Sequence, residues 1–418
     1  MSLMFIWNLC RNINDILIPH MKRAFQLNDL QSSLIQSAFF GAYFLAALPA
    51  GIYIRKRGYK AGMITGLLLA AVGAGLFYPA AQVRYYPLFL GALFVMACGF
   101  TFLEVTATPY ISRLGDPGEA SSRLSLSAAA GSVGSTIGPY IGSLLLLHKR
   151  DISTMEISRY SGVQLQTFLT GEARLVKNPY LILSLLFLNI AVALCFIRLP
   201  KVSDDDTGTS SAGQGNPFKK ILQVPHTLLG VFSVFCYIGA EVGIVSFLIR
   251  YSKSLNLPEL TERKAALFIS VFMILVMTGR LCGAYILRKV AAHRMLIVSA
   301  SGAFLLVLAA FSCGGYLSLW ALATVGLFTS IMYPIIFTLS IDGLGYLTRT
   351  ASSLLIMGVV GGALVPPIMG LISDRLGIRW AFLVPMLCYL YVFFYGAKGY
   401  RMSKGKKSRV DSYLTVVS

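Results

Sequence analysis

Hydrophobic positions along the chain do not alternate with polar ones. They fall in runs of about 20 residues, the length that crosses the hydrocarbon core of a bilayer, separated by short polar connections. Read this way, the first half holds spans near 3–24, 34–54, 62–81, 86–109, 124–147 and 179–198. The second half holds spans near 226–250, 265–287, 295–313, 316–339, 351–373 and 380–397. Runs of this length are expected to be helical, because a helix satisfies its own backbone polar groups where there is no water. The pattern therefore predicts an all-α integral membrane fold of twelve transmembrane helices in two six-helix bundles.

One stretch interrupts the apolar pattern between the sixth and seventh spans: "KVSDDDTGTSSAGQGNPFKK", residues 201–220, acidic and rich in Ser and Gly. Its composition reads as a flexible cytoplasmic linker with a solvated charge run. The expected organisation is an N-terminal bundle over 1–200, a linker over 201–224, a C-terminal bundle over 225–400 and a basic tail over 401–418. An internal repeat supports the two halves. "GSVGSTIGP" (131–139) and "GVVGGALVP" (358–366) share Gly131/Gly358, Gly134/Gly361 and Pro139/Pro366 at one constant offset. Glycines at this spacing let bilayer helices approach closely, and repeated halves with flexible fifth and eleventh helices suit a rocking transporter with its site at the midplane.

Composition agrees with this reading, since 56% of residues are hydrophobic and 13% charged. The net charge of +19 would suggest nucleic acid in a soluble protein. Here the Lys and Arg fall in short loops and the tail, so they report topology through the positive-inside rule and exclude a nucleic-acid partner. Arg55, Lys56, Arg57 and Lys60, then Arg288, Lys289 and Arg294, and the tail from Lys398 onward place both termini in the cytoplasm. The first hydrophobic segment carries Arg, Asn and Asp and lacks a cleavage site, so it reads as a retained span, not a signal peptide. The seven cysteines show neither a disulfide framework nor metal spacing.

Polar and charged residues inside the spans are the candidate chemistry, because a charge at the centre of a bilayer helix costs roughly 2.5 to 3.5 kcal/mol. "CRNINDILIPH" puts such residues in span one. Helical spacing aligns Asn8, Asn12 and Asp15 there, Thr101, Glu104 and Thr108 in span four, and Tyr237 and Glu241 in span seven. Lipid would not tolerate these stripes, so they are expected to face a central cavity. Trp7, Trp320 and Trp380 fit an interfacial aromatic belt, with Trp7 close enough to Asn8 to stack on a sugar. Arg280 in "TGRLCG" reads as a packing and gating residue.

The stretches "NINDILIPH", "LIQSAFFGAYFLAALPAGI", "RKRGYKAG", "FLEVTATPY", "CYIGAEVGIVSFLIRY", "MYPIIFTLSIDGLG" and "GGALVPPIMGLISD" resemble the major facilitator superfamily. More narrowly, they resemble its fucose:proton symporter family of bacterial sugar permeases, in family order over nearly the whole chain. The resemblance implies alternating access, proton-coupled uptake of a monosaccharide or related small hydroxylated solute, no enzymatic activity and no cofactor beyond the proton gradient. It implies a bacterial inner membrane location and roles for Asn12, Asp15 and Glu104 in sugar binding and proton coupling.

Sugar recognition needs hydrogen bonds from carboxylates and amides, with aromatic faces against the apolar side of the ring. Asn12, Asp15, Glu104 and Tyr237 are candidates, and Glu241 is either a substrate contact or a helix-packing residue. Symport also needs a carboxyl that changes protonation between states. Asp15 and Glu104 are the candidates for that role.

Two departures from the family pattern qualify the carry-over. Arg11 stands where the pattern has asparagine, four residues before Asp15. A guanidinium there favours the charged carboxylate, which moves proton coupling mainly to Glu104. Alternatively, Arg11 points at an anionic substrate such as an acidic sugar. Second, "RLSLSAAAG" replaces "RLNLAQ" and a following asparagine, so Ser125, Ala128 and Gly131 stand for side-chain amides. That change is expected to enlarge the cavity wall for a bulkier, less hydroxyl-dependent substrate. "GSTIGPYIG" (134–142) resembles an antiporter motif and raises proton-antiport efflux of an amphipathic compound as the alternative. A non-transporting membrane sensor is the remaining reading. The expected partners are a small-molecule substrate, protons and the lipid bilayer, with the chain a monomer and no metal bound.

Overall fold

The computed structural model describes residues 4–9, 29–146, 162–200, 217–255 and 262–401. Among them nine helical stretches are long and apolar enough to cross a membrane, and the first of these, Ala38–Val83, is long enough for two spans. The helices are α1 Asp29–Val83, α2 Tyr86–Arg113, α3 Ala120–Leu146, α4 Gly162–Phe196, the short α5 Pro217–Ile221, α6 Pro225–Ser254 and α7 Glu262–Ile286. They continue as α8 Ala292–Ser312, α9 Gly315–Thr329, α10 Met332–Ile341, α11 Thr348–Met357, α12 Gly361–Leu376 and α13 Leu383–Ala397. The chain packs as two compact units, residues 1–107 with 130–200, and residues 108–129 with 201–418.

Among the described residues the pattern-based spans from the second onward recur as helices, with local differences that have physical causes. Spans two and three are joined in α1, where helical geometry runs through the basic "RKRGYKAG" stretch and breaks only at Gly58, with φ 82° and ψ 173°. Glycine adopts that left-handed backbone without the Cβ clash another residue would meet. Span ten divides into α9 and α10, and Pro334 sits in the first turn of α10, where its missing N–H leaves no helical bond unmade. Span eleven is α11 and α12 joined by a 3₁₀ turn at Gly358–Val360. A Cβ on Gly358 would lie 2.7 Å from the Val231 carbonyl oxygen, and one on Gly361 would overlap that of Phe235. The glycine repeat in this span therefore serves backbone contact with α6. The loop expected over 148–178 is shorter than that, since α4 begins at Gly162. Within the expected linker, α5 is helical, and residues 201–216 lie outside the described ones.

In the first unit, α4 lies against α1. Phe77 stacks on Tyr180 with centroids 3.7 Å apart and planes within 6°. Ser184 Oγ donates to the Ala71 carbonyl at 2.7 Å, and Lys60 Nζ donates to that of Cys195 at 2.8 Å. The other side of α4 exposes Leu181, Leu185, Leu188 and Val192 at helical spacing. A stripe this apolar is a lipid-facing surface in a membrane protein.

In the second unit α6 is the central helix. Thr227 Oγ1 donates to the Ser340 carbonyl at 3.0 Å, and Phe232 packs edge-on against Tyr391 with centroids 4.7 Å apart. The unit includes the turn between α2 and α3. Asp116 accepts from the Gly118 amide at 2.8 Å, and Arg123 bridges the Asp116 and Ser112 carbonyls at 2.6 and 2.8 Å. Outward from this turn, Arg113 donates to the Gly345 carbonyl at 2.7 Å and to Thr348 Oγ1 at 2.8 Å. Ser122 donates to the Ala284 carbonyl at 2.5 Å, and Ser121 and Thr338 share a hydroxyl bond of 2.5 Å.

Candidate functional site

Arg11, Asn12 and Asp15 lie outside the described residues. What is described of span one is the helical turn over 4–9, which carries Trp7 and Asn8. Trp7 is buried within the protein, unlike Trp320 and Trp380, which are exposed as an interfacial belt requires.

Asn8 is half-buried, and its Nδ2 donates to the Met4 carbonyl at 2.9 Å. Its amide faces Gly131 of α3: a Cβ on that glycine would lie 2.6 Å from Nδ2 and 3.2 Å from Cγ. One turn further along α3, a Cβ on Gly134 would overlap the Phe5 carbonyl oxygen. The two segments therefore meet backbone to backbone at Gly134 and side chain to backbone at Gly131. This revises the expectation of an enlarged wall at Gly131, because the Asn8 amide occupies the space the missing side chain leaves.

Glu104 is half-buried on α2 within the first unit, with Leu103 and Val105 buried on either side. Of its expected stripe, Thr101 is fully buried and gives its hydroxyl proton to the Ala97 carbonyl of its own helix at 2.8 Å. A hydroxyl used in this way serves the helix, so the carboxylate is the stripe's chemically distinctive group in this unit.

The second unit brings together Tyr237, Glu241 and Arg280, which the sequence marks as a packing and gating residue. Tyr237 and Glu241 lie one turn apart on α6, and the Tyr237 hydroxyl is hydrogen-bonded to both the Glu241 carboxylate and the Arg280 guanidinium. The donor inventory fixes the direction: the guanidinium only donates, so the phenol accepts from Arg280 and gives its proton to Glu241. Arg280 is further held by its Nε on the Ser330 carbonyl and its Nη1 on that of Ala128, each at 3.3 Å. Its own carbonyl accepts from Ser125 Oγ at 2.9 Å. The ring of Tyr333 lies 6.4 Å from that of Tyr237. Tyr389, fully buried on α13, has a hydroxyl without a hydrogen-bond partner among the described residues.

The result is a carboxylate, a guanidinium and two phenols, with aromatic faces beside them. This set can accept and donate hydrogen bonds to a polyhydroxylated ring. The sequence signal for Arg280 was the same one that marked Glu104, a charge in an apolar run. Among the described residues no group of three or more His, Cys, Asp or Glu could hold a metal ion.

Comparison with known proteins gives a consistent picture. A profile described as Major Facilitator Superfamily matches residues 1–359. The glucose/galactose transporter of Brucella abortus biovar 1 (strain 9-941) is 40% identical over 397 residues, covering 95% of this chain and 92% of that protein. The L-fucose-proton symporter of Escherichia coli (strain K12) is 36% identical over 397 residues, covering 94% of this chain and 90% of that protein. A crystal structure of the E. coli fucose:proton symporter matches with a TM-score of 0.88 at 36% identity, covering 94% of this chain and 96% of that one. The proton:xylose symporter XylE matches with a TM-score of 0.68 at 12% identity, a likeness of fold.

Proposed function

The chain belongs to the Major Facilitator Superfamily, and on that premise we propose that it takes up a monosaccharide together with protons by alternating access. It is a transporter and not an enzyme. The observation that carries the sugar reading is the full-length similarity to a glucose/galactose transporter, with 95% of this chain covered. The chemistry of the second unit supports it, because Tyr237, Glu241 and Arg280 supply paired donors and acceptors of the kind sugar hydroxyls need.

In this reading Tyr237 and Glu241 contact the sugar and Arg280 supplies Glu241 with a counter-charge. A carboxylate held in a network with a guanidinium is a poor proton carrier, so coupling falls to Glu104, with Asp15 beside it in function. Asn12 binds the sugar, and Arg11 pairs with Asp15 or meets an anionic group on the substrate. The proton gradient is the energy source and no cofactor takes part. The bundles run over 1–200 and 225–400, joined by the linker 201–224 and followed by the basic tail 401–418. The protein works as a monomer in a bacterial inner membrane, with both termini in the cytoplasm as the basic loops favour.

The test is uptake of radiolabelled D-glucose, D-galactose and L-fucose into proteoliposomes under an inward proton gradient. Accumulation of at least one, abolished by a protonophore, is the expected result. Failure across a broad monosaccharide panel would overturn the reading.

A further inference from the structure

We propose that Cys236 and Cys388 form a reversible oxidation site, a thiol pair that a peroxide converts to a disulfide between α6 and α13. The pairing follows from the register of the two helices. They pack along one another and run antiparallel, since Phe232 meets Tyr391 with ring centroids 4.7 Å apart while the later Tyr251 meets the earlier Phe382 at 5.1 Å. One turn beyond Phe232 is Cys236, and one turn before Tyr391 is Cys388, so both thiols fall at one level of the shared face. There the two side chains are hydrogen-bonded to each other.

Both cysteines are buried, whereas Cys98, Cys195, Cys282 and Cys313 are half-buried or exposed. A single buried thiol is inert. A buried pair differs, because the first sulfur to be oxidised already touches the thiol that resolves it. The chemistry balances with hydrogen peroxide, which is small and uncharged and can enter an apolar layer. One sulfur takes an oxygen from the peroxide, giving a sulfenic acid and a first water. The second sulfur then displaces that oxygen as a second water, and the S–S bond forms. Two thiol hydrogens and two electrons have passed to the peroxide, and a reducing phosphine or dithiol returns them.

Each cysteine directly precedes a tyrosine of the candidate site, Cys236 before Tyr237 and Cys388 before Tyr389. The Tyr237 hydroxyl is hydrogen-bonded to Glu241 and Arg280. Resting on the sugar-uptake reading, the consequence of oxidation is arrested transport. A covalent tie between α6 and α13 fixes the backbone beside Tyr237 and removes the freedom with which that network follows alternating access.

The experiment treats wild type and a variant with Cys10, Cys98, Cys195, Cys282 and Cys313 replaced by Ala with hydrogen peroxide in proteoliposomes. Remaining thiols are blocked, the cross-linked peptide is sought by mass spectrometry, and uptake of D-glucose, D-galactose and L-fucose is measured before and after a phosphine reductant. The expected result is a peptide joining Cys236 to Cys388 and an uptake rate lowered by about tenfold, in line with the cost of misplacing a positioned group. The reductant should restore it, and Cys236→Ser should be insensitive to peroxide.

Absence of the linked peptide would overturn the proposal, and wild type alone decides this if the five-fold variant does not fold. A linked peptide with unchanged uptake, or equal loss of uptake in Cys236→Ser, would overturn it as well. If untreated wild type transports none of the sugars, the uptake reading fails, and the thiol pair is then decided by the linked peptide alone.

Discussion

Glu104 and Glu241 are both carboxylates on apolar helices, and the proposed function gives them different work. Glu241 shares the Tyr237 hydroxyl with Arg280, while Glu104 stands on a helix whose neighbouring Thr101 is committed to its own backbone. Glu104→Gln should therefore abolish gradient-driven accumulation and leave sugar counterflow, which moves no net proton. Accumulation at the wild-type level would refute the assignment. Arg280→Lys keeps the charge but loses the planar fork that reaches the Ser330 and Ala128 carbonyls along with Tyr237. It should weaken sugar binding by about tenfold, the equivalent of one lost charge-assisted bond, as read by a binding titration on purified protein. For Arg11, substitution by Asn should shift the pH dependence of binding if it pairs with Asp15, and an unshifted profile would count against the pair.

At the scale of elements, the residue stripes were legible because they depend only on helical period. Tyr237 and Glu241 meet on one face of α6 as their spacing predicts. Arg280 was not legible as their partner, since its reach to Tyr237 depends on how α7 lies beside α6, which no spacing within one helix encodes. Gly131 shows the same limit. As a letter it is a missing side chain, and only the position of the 4–9 turn reveals that Asn8 takes the space. Helix through the Arg and Lys that flank Gly58 was not legible, because charged runs read as loops when their neighbours are apolar. The repeat glycines of span eleven were legible as packing residues, and the geometry sharpens this into a prediction. Gly361→Ala would drive a methyl group into the Phe235 backbone and should cost about 1 to 3 kcal/mol as overpacking, visible as a lowered Tm in detergent. Gly370→Ala on the same helix meets open space and should be neutral or slightly stabilising.

At the scale of the whole molecule, the expected twelve-span fold and the full-length similarity to sugar transporters agree, and ligand binding gives a direct handle on the substrate. A ligand that binds only the folded protein raises apparent stability by mass action, about 2.7 kcal/mol at a hundred times Kd. A sugar panel followed by thermal unfolding should therefore rank the substrates, and the sugar giving the largest rise in Tm should also compete best for uptake.

The segment Thr108–Ala129 is fastened to the rest of its unit by serine hydroxyls and arginines: Ser122 on the Ala284 carbonyl, Ser125 on that of Arg280, Arg113 on that of Gly345. These donors are hydroxyls and a guanidinium, with no carboxyl or imidazole among them. In the proposed proton-coupled reading, the hold is therefore deaf to the driving ion. Loosening it with Ser122→Ala or Ser125→Ala should scale the maximal uptake rate by one common factor across the pH range, leaving the position of the pH optimum to the carboxylates alone.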